Sequence, residues 1–205
     1  MDDGAPPGRF VLTGGAAPID AAIHSGAKTT TVYRNVLQSL WILDEVDPWD
    51  PAGTGITRLT QSPKHFLADP AIASVLLGLA EEALLGGVLE PDFGPAYGSI
   101  AGRLFESLIG SSLQTYATCA DTRVSYVRTR NGDHEVNFVI QKGRRVVALE
   151  VKLAPTITDA DVRHLVWFRD QLGPALAEAI IVTTGPYAYR RADGIIVAPG
   201  ALLEP

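Results

Sequence analysis

The sequence has little sulfur: one cysteine, Cys119, and one methionine among 205 residues. A single thiol can form neither an intrachain disulfide nor a multi-cysteine zinc site, and it fits a reducing compartment. No apolar run reaches the roughly 18 residues that a membrane-spanning helix needs. The opening Met1-Asp2-Asp3-Gly4 lacks the basic region of a secretory leader. These absences lead us to expect a cytoplasmic protein without a membrane partner. Positive charge is also scarce, with 17 Lys and Arg against 23 Asp and Glu and a formal charge of -6. A uniformly basic coat is thereby excluded, and only a local basic patch is left for meeting nucleic acid. The four histidines, His24, His65, His134 and His164, show no i, i+4 pair of the kind that holds zinc on a helix. No serine lies in a G-x-S-x-G elbow, which argues against serine hydrolase chemistry.

What is present is a folded composition, 46% apolar with 20 Gly and 14 Pro. The N-terminal part predicts a strand over residues 9–13 and two helices over 19–43, broken at Ser25-Gly26, with Thr29 capping the second. Residues 47–55 read as loop, 64–68 as a buried strand, and Asp69-Pro70 as the start of a helix running to Leu85. The breaker cluster from Gly86-Gly87 to Gly98 sets a boundary between residues 1–98 and 99–205. Beyond it the pattern predicts a helix over 101–118 and strands over 124–128, 135–141 and 145–152. A helix over 158–172 and strands over 178–183 and 194–198 complete it. The expected fold is α/β, a mixed sheet flanked by helices, preceded by a small helical region.

The run Gly26-Ala27-Lys28-Thr29 ends like a phosphate-binding loop, but Ala22 and Ala27 stand where the two glycines must be and no apolar strand precedes it. Nucleotide binding and ATPase activity are therefore not expected. Lys28, Tyr33 and Arg34 read as exposed residues of a recognition-type helix that meets DNA, or equally as the solvated face of an ordinary one. Arg144, with Lys142 and Arg145, forms a basic cluster suited either to a phosphate backbone or to solvating a turn.

The most informative stretch is Glu135-Val136-Asn137-Phe138-Val139-Ile140, followed by Val147-Ala148-Leu149-Glu150-Val151-Lys152. Side chains two apart on a strand share a face. Glu135 and Asn137 then point one way and Val136, Phe138 and Ile140 the other, while Glu150 and Lys152 oppose Leu149 and Val151. If the strands pair, carboxylates, an amide and an ammonium converge on one patch. Oxygen ligands of that kind suit Mg²⁺ or Mn²⁺, and the lysine can stabilise transition-state charge. The same alternation also describes the solvated face of a half-buried sheet.

In this order, Phe105-Glu106, Arg128-Thr129, Glu135-Val136-Asn137 and Glu150-Val151-Lys152 resemble the PD-(D/E)XK nuclease-like fold. Residues 61–203 more narrowly resemble the uncharacterised domain that follows the ATPase module in bacterial and archaeal AAA-type ATPases. Its landmarks are Ser62-Pro63-Lys64-His65-Phe66 with Asp69-Pro70, then Gly102-Arg103-Leu104-Phe105-Glu106, Tyr126-Val127-Arg128 and the two strands above. The resemblance implies Glu106 as the first-helix acid, Asn137 at the central acid position and Glu150 with Lys152 as the E-x-K pair. It also implies a weak Mg²⁺ or Mn²⁺ site on Glu135, Asn137 and Glu150, because the family usually carries Asp where Asn137 stands. Residues 9–14 and 19–41 resemble an ATPase remnant and a winged-helix-like segment of the same proteins. Two functions follow as expectations: a nucleic-acid-associated, degenerate metal-dependent nuclease, or a non-catalytic protein-interaction module.

Overall fold

A computed structural model describes residues 27–49, 62–79, 94–129 and 132–204. The strand expected over 9–13, the first helix expected from residue 19 and the far half of the helix expected to reach Leu85 lie outside these residues. The described elements, in chain order, are α1 (Ala27–Ser39), β1 (Leu43–Pro48), β2 (Lys64–Leu67), α2 (Pro70–Leu76) and α3 (Gly94–Cys119). There follow β3 (Arg123–Arg128), β4 (Glu135–Lys142), β5 (Arg145–Val151), α4 (Asp159–Leu172), β6 (Leu176–Thr183), β7 (Tyr189–Arg190) and β8 (Ile196–Pro199). Together the strands form one 8-stranded mixed sheet, in the order β2-β1-β3-β4-β5-β6-β8-β7.

The meander β3-β4-β5 is antiparallel, whereas β5, β6 and β8 run parallel and β1 pairs parallel with β3. The sheet thus continues across the boundary expected at residue 98, and so does α3. Helix α2 is shorter than the pattern suggested. It stops at Leu76 because Gly78 takes a left-handed backbone, and the amides of Leu77, Gly78 and Leu79 return to carbonyls of the last turn. Helix α4 starts as the sequence indicated, with Asp161 accepting from both the amide and the hydroxyl of Thr158 at 2.9 and 2.6 Å.

Each sheet face has its own core. One carries α4, with Val162, Leu165 and Phe168 packed on Val136, Val139, Ala148 and Ile181. The other carries α3, whose Ile109, Leu113 and Ala117 recur every fourth residue and pack on Tyr126, Phe138, Leu149 and Val151. Val136 and Phe138 lie on opposite faces although they are two apart. The cause is a register shift in the β3–β4 ladder: Ser125 pairs with Val139 but Val127 with Val136, so β4 carries one extra residue. Phe138 and Ile140 therefore share the α3 face with Asn137 instead of opposing it.

Helix α3 approaches β4 closely at Gly110, where an added Cβ would sit 2.9 Å from the buried Phe138 ring. Gly110→Ala should lower stability by about 1–2 kcal/mol in urea unfolding, overpacking outweighing the gain in helix propensity. An unchanged midpoint would mean that the ring has room to yield.

Candidate functional site

Beyond the pair Phe138–Leu149 the ladder between β4 and β5 opens into a fork. Asn137 fills it. Its Oδ1 accepts from the amide of Val151 at 2.9 Å, and its own amide meets Glu150 Oε2 at 3.4 Å. The Asn137 side chain also donates, Nδ2 to Glu106 Oε1, at 3.0 Å. Glu106 hangs from α3, so this one residue joins the helix to both strands of the fork.

On the α3 face lies a second, denser group. Lys64, at the start of β2, alternates with Phe66 and so points into the same layer, and its side chain is 0% exposed. Its Nζ lies 3.1 Å from Glu106 Oε1 and 2.6 Å from Glu135 Oε1. Arg128 pairs in fork geometry with Glu135, at 2.9 and 2.8 Å. The Tyr126 ring lies 5.1 Å from the Lys64 ammonium, and its hydroxyl donates to the Ser62 carbonyl. Burial works against the charge on Lys64, but the two carboxylates outweigh it and raise its pKa above the ordinary lysine value. Burial likewise works against ionising Glu135, and Arg128 and Lys64 outweigh it, leaving that carboxyl below its usual range.

Glu150 behaves differently. Alternation with Ala148 places it on the α4 side, where its Oε1 meets Lys152 Nζ at 3.0 Å. Burial pushes its pKa up to about 7 even though Lys152 opposes the shift. Glu106, Glu135, Asn137, Glu150 and Lys152 are linked at the fork: Asn137 touches both Glu106 and Glu150, and the Glu106 charge acts on the Glu150 carboxyl.

The donor set bears on whether these residues fit a divalent ion. Both oxygens of Glu135 accept from Arg128, and one of them also holds Lys64. Glu106 Oε1 is held by Lys64 and Asn137, and Glu150 by Lys152. Both ends of the Asn137 amide are committed. Three carboxylates thus meet the three cations Lys64, Arg128 and Lys152. Among the described residues no group of three or more His, Cys, Asp or Glu is arranged to hold a metal ion. Each of the three carboxylates has one of the protein's own cations within 3.1 Å.

With that geometry in view, a protein-family model described as "Domain of unknown function (DUF4143)" matches residues 101–203, half of the chain. The chain belongs to the DUF4143 family. The matched part holds α3, the meander, α4 and the parallel strands, hence Glu106, Arg128, Glu135, Asn137, Glu150 and Lys152. Lys64 falls instead in the match to a second model, "Domain of unknown function (DUF8612)", over residues 16–83. The DUF4143 carboxylates are thus met by a cation from outside the DUF4143 match. No curated protein matches the chain. It is similar to a solved structure, protein VC1899 from Vibrio cholerae, at 15% identity and a TM-score of 0.39, over 85% of this chain and 47% of that one. The chain spans about half the length of that protein.

The remaining expected residues lie elsewhere. Arg144 sits in the tight turn between β4 and β5, where Lys142 pairs with Arg145 and donates to the Ala120 carbonyl. Asn137 at the fork lies five residues before Lys142 on β4, so this turn is about 17 Å away at 3.3 Å per residue. Tyr33 is exposed on α1, Arg34 is half-buried on the same helix, and the Lys28 side chain falls outside the described residues. Helix α1 begins at Ala27, before the cap expected at Thr29. Two contacts were invisible in the spacing. Lys64 is one. The other joins His134 and His164, whose Nδ1 atoms lie 3.4 Å apart while His134 stacks on Trp167 at 4.3 Å. Thirty positions separate these two histidines, and only the packing of α4 beside the start of β4 brings them together.

Proposed function

We propose that this protein is a non-catalytic interaction module built on a PD-(D/E)XK-like scaffold, in which the residues corresponding to a nuclease site have become a structural knot. The observation that carries this reading is that the site carboxylates are already engaged by the protein's own cations at 2.6–3.1 Å. A metal-activated water needs oxygen ligands free to enter the ion's coordination shell. Glu135 accepts from Arg128 at both oxygens and from Lys64 at Oε1, and Glu150 accepts from Lys152 at Oε1 and from the backbone amide of Asn137 at Oε2.

A protein partner is favoured by the surface of α1. Val32, Tyr33, Val36 and Leu40 are exposed along it, followed by Trp41, which is 85% exposed. Trp41 also takes a left-handed backbone, φ 58°, at the end of the helix, where glycine is the usual residue. A large apolar side chain held in water at a strained position marks a contact surface better than a packing position. The net charge of -6 weakens the case for nucleic acid.

The test is a cleavage assay on supercoiled DNA and single-stranded RNA with Mg²⁺ and Mn²⁺, together with a salt titration of DNA affinity. We expect no cleavage and no salt-dependent binding. Metal-dependent nicking that Lys152→Ala abolishes would overturn the reading in favour of a nuclease. DNA affinity with a steep salt slope and no cleavage would replace the protein partner with nucleic acid.

A further inference from the structure

We infer that Glu106 and Glu135 form a cation seat that the chain fills for itself with the Lys64 ammonium. This rests on the metal-free reading above and goes further, because it says what the vacated carboxylates would bind. Lys64 Nζ lies 3.1 Å from Glu106 and 2.6 Å from Glu135, with its side chain fully enclosed. The two acids come from different elements, α3 and β4, and only a charge placed between them reconciles their approach. The ammonium is delivered from a third element, the edge strand β2, more than 40 positions from Glu106 in the chain.

Asn137 defines the third side of the seat. Its Nδ2 faces Glu106 and its Oδ1 is turned to the Val151 amide, so it offers the seat a donor and no lone pair. A cation in this place is therefore bound by the two carboxylates and completed by water. Arg128 replaces Lys64 only in part, because its guanidinium is already spread over both oxygens of Glu135 and acts on Glu106 through charge rather than a hydrogen bond. The seat without Lys64 is accordingly short of one positive charge. It suits a small primary ammonium, which reproduces the lost head group, or a hard divalent ion that takes oxygen ligands.

The experiment uses the full chain as wild type, Lys64→Ala and Lys64→Met, probed with ethylammonium and with Mn²⁺. Mn²⁺ binding is read by electron paramagnetic resonance and folding by circular dichroism during urea unfolding. Wild type should bind no Mn²⁺ and gain no stability from either cation. Lys64→Ala should be stabilised by both, with about a hundredfold recovery of its folding equilibrium at 100 times the dissociation constant. The added change Glu135→Gln should abolish that recovery. Lys64→Met keeps the apolar stem and removes the charge, so it should remain folded where Lys64→Ala does not, and it should bind Mn²⁺.

Mn²⁺ binding by wild type that Glu135→Gln abolishes would overturn both the metal-free reading and the self-filled seat, since Lys64 would then not occupy it. Wild type without Mn²⁺ binding, and neither variant responding to Mn²⁺ or ethylammonium, would overturn the seat alone. Recovery that survives Glu135→Gln would also overturn it, since the cation would then be bound elsewhere.

Discussion

Replacing Lys64 with methionine is expected to lower the stability of the folded chain by about 3–5 kcal/mol, the range found when one partner of a buried ion pair is removed. Methionine keeps most of the stem's volume, so the loss reports the charge rather than a cavity. Glu106 and Glu135 would be left facing each other, with side chains 15% and 30% exposed, and only Glu135 would retain a cation. Glu106→Gln should cost much less, because Lys64 keeps Glu135. The penalty also depends on pH. In the wild type Glu135 has a depressed pKa, so its stabilising contribution is present above its unfolded value and fades as pH falls through the folded one. The difference between wild type and Lys64→Met should therefore shrink toward pH 3. Urea unfolding at pH 7 and pH 3.5 measures both quantities. A loss below about 1 kcal/mol at pH 7 would mean that the carboxylates are hydrated well enough to need no partner.

Glu150→Gln should do the opposite and stabilise the protein in mildly basic solution. The carboxyl titrates at about 7 in the folded state against an ordinary 4.5. Between these values the folded chain holds a proton that the unfolded chain has released, so stability falls as pH rises through that window. The shift amounts to roughly 3 kcal/mol at 1.36 kcal/mol per unit. Glutamine keeps an acceptor for the Asn137 amide and removes the charge whose burial is costly. Lys152 loses its partner, but its side chain is 33% exposed and water can take over. We expect Glu150→Gln to match wild type near pH 5 and to exceed it by about 2 kcal/mol at pH 8. Parallel stability curves from pH 5 to pH 8 would show that Glu150 ionises without cost.

Much of the fold is legible in the sequence wherever one local signal is repeated. The apolar run Val146–Leu149 of β5, the every-fourth apolar stripe of α3 and the periodicity of 158–172 in α4 each announce their element. Strand β1 is not legible, for a specific reason. Its buried residues Leu43 and Val46 are three apart, the spacing of a helical face, and three acids and Pro48 surround them. The segment consequently reads as the end of a helix followed by loop. The extra residue in β4 is equally silent, since an apolar run of Phe138-Val139-Ile140 does not say which of its members changes face. At the site, Glu106, Glu135, Asn137, Glu150 and Lys152 are all visible as polar positions in a recognisable order. Lys64 carried a weaker signal that repays attention: a lysine alternating with apolar residues on a buried strand requires a carboxylate from elsewhere.

The parallel pairing of β1 with β3 has a kinetic consequence. Asp47 meets Ser125 across 78 positions of chain (125 minus 47), whereas β3, β4 and β5 join through short turns. Contacts between near neighbours form early, and those that close long loops wait for their entropy to be offset. The meander is therefore expected to assemble first and bring Arg128 to Glu135, with the edge hairpin of β1 and β2 docking later. Until it does, Glu106 and Glu135 stand together without Lys64, and the last strand to dock is the one that neutralises them. The order of assembly places charge compensation at the final step, so that variants at Lys64 should alter the rate of unfolding far more than the rate of folding.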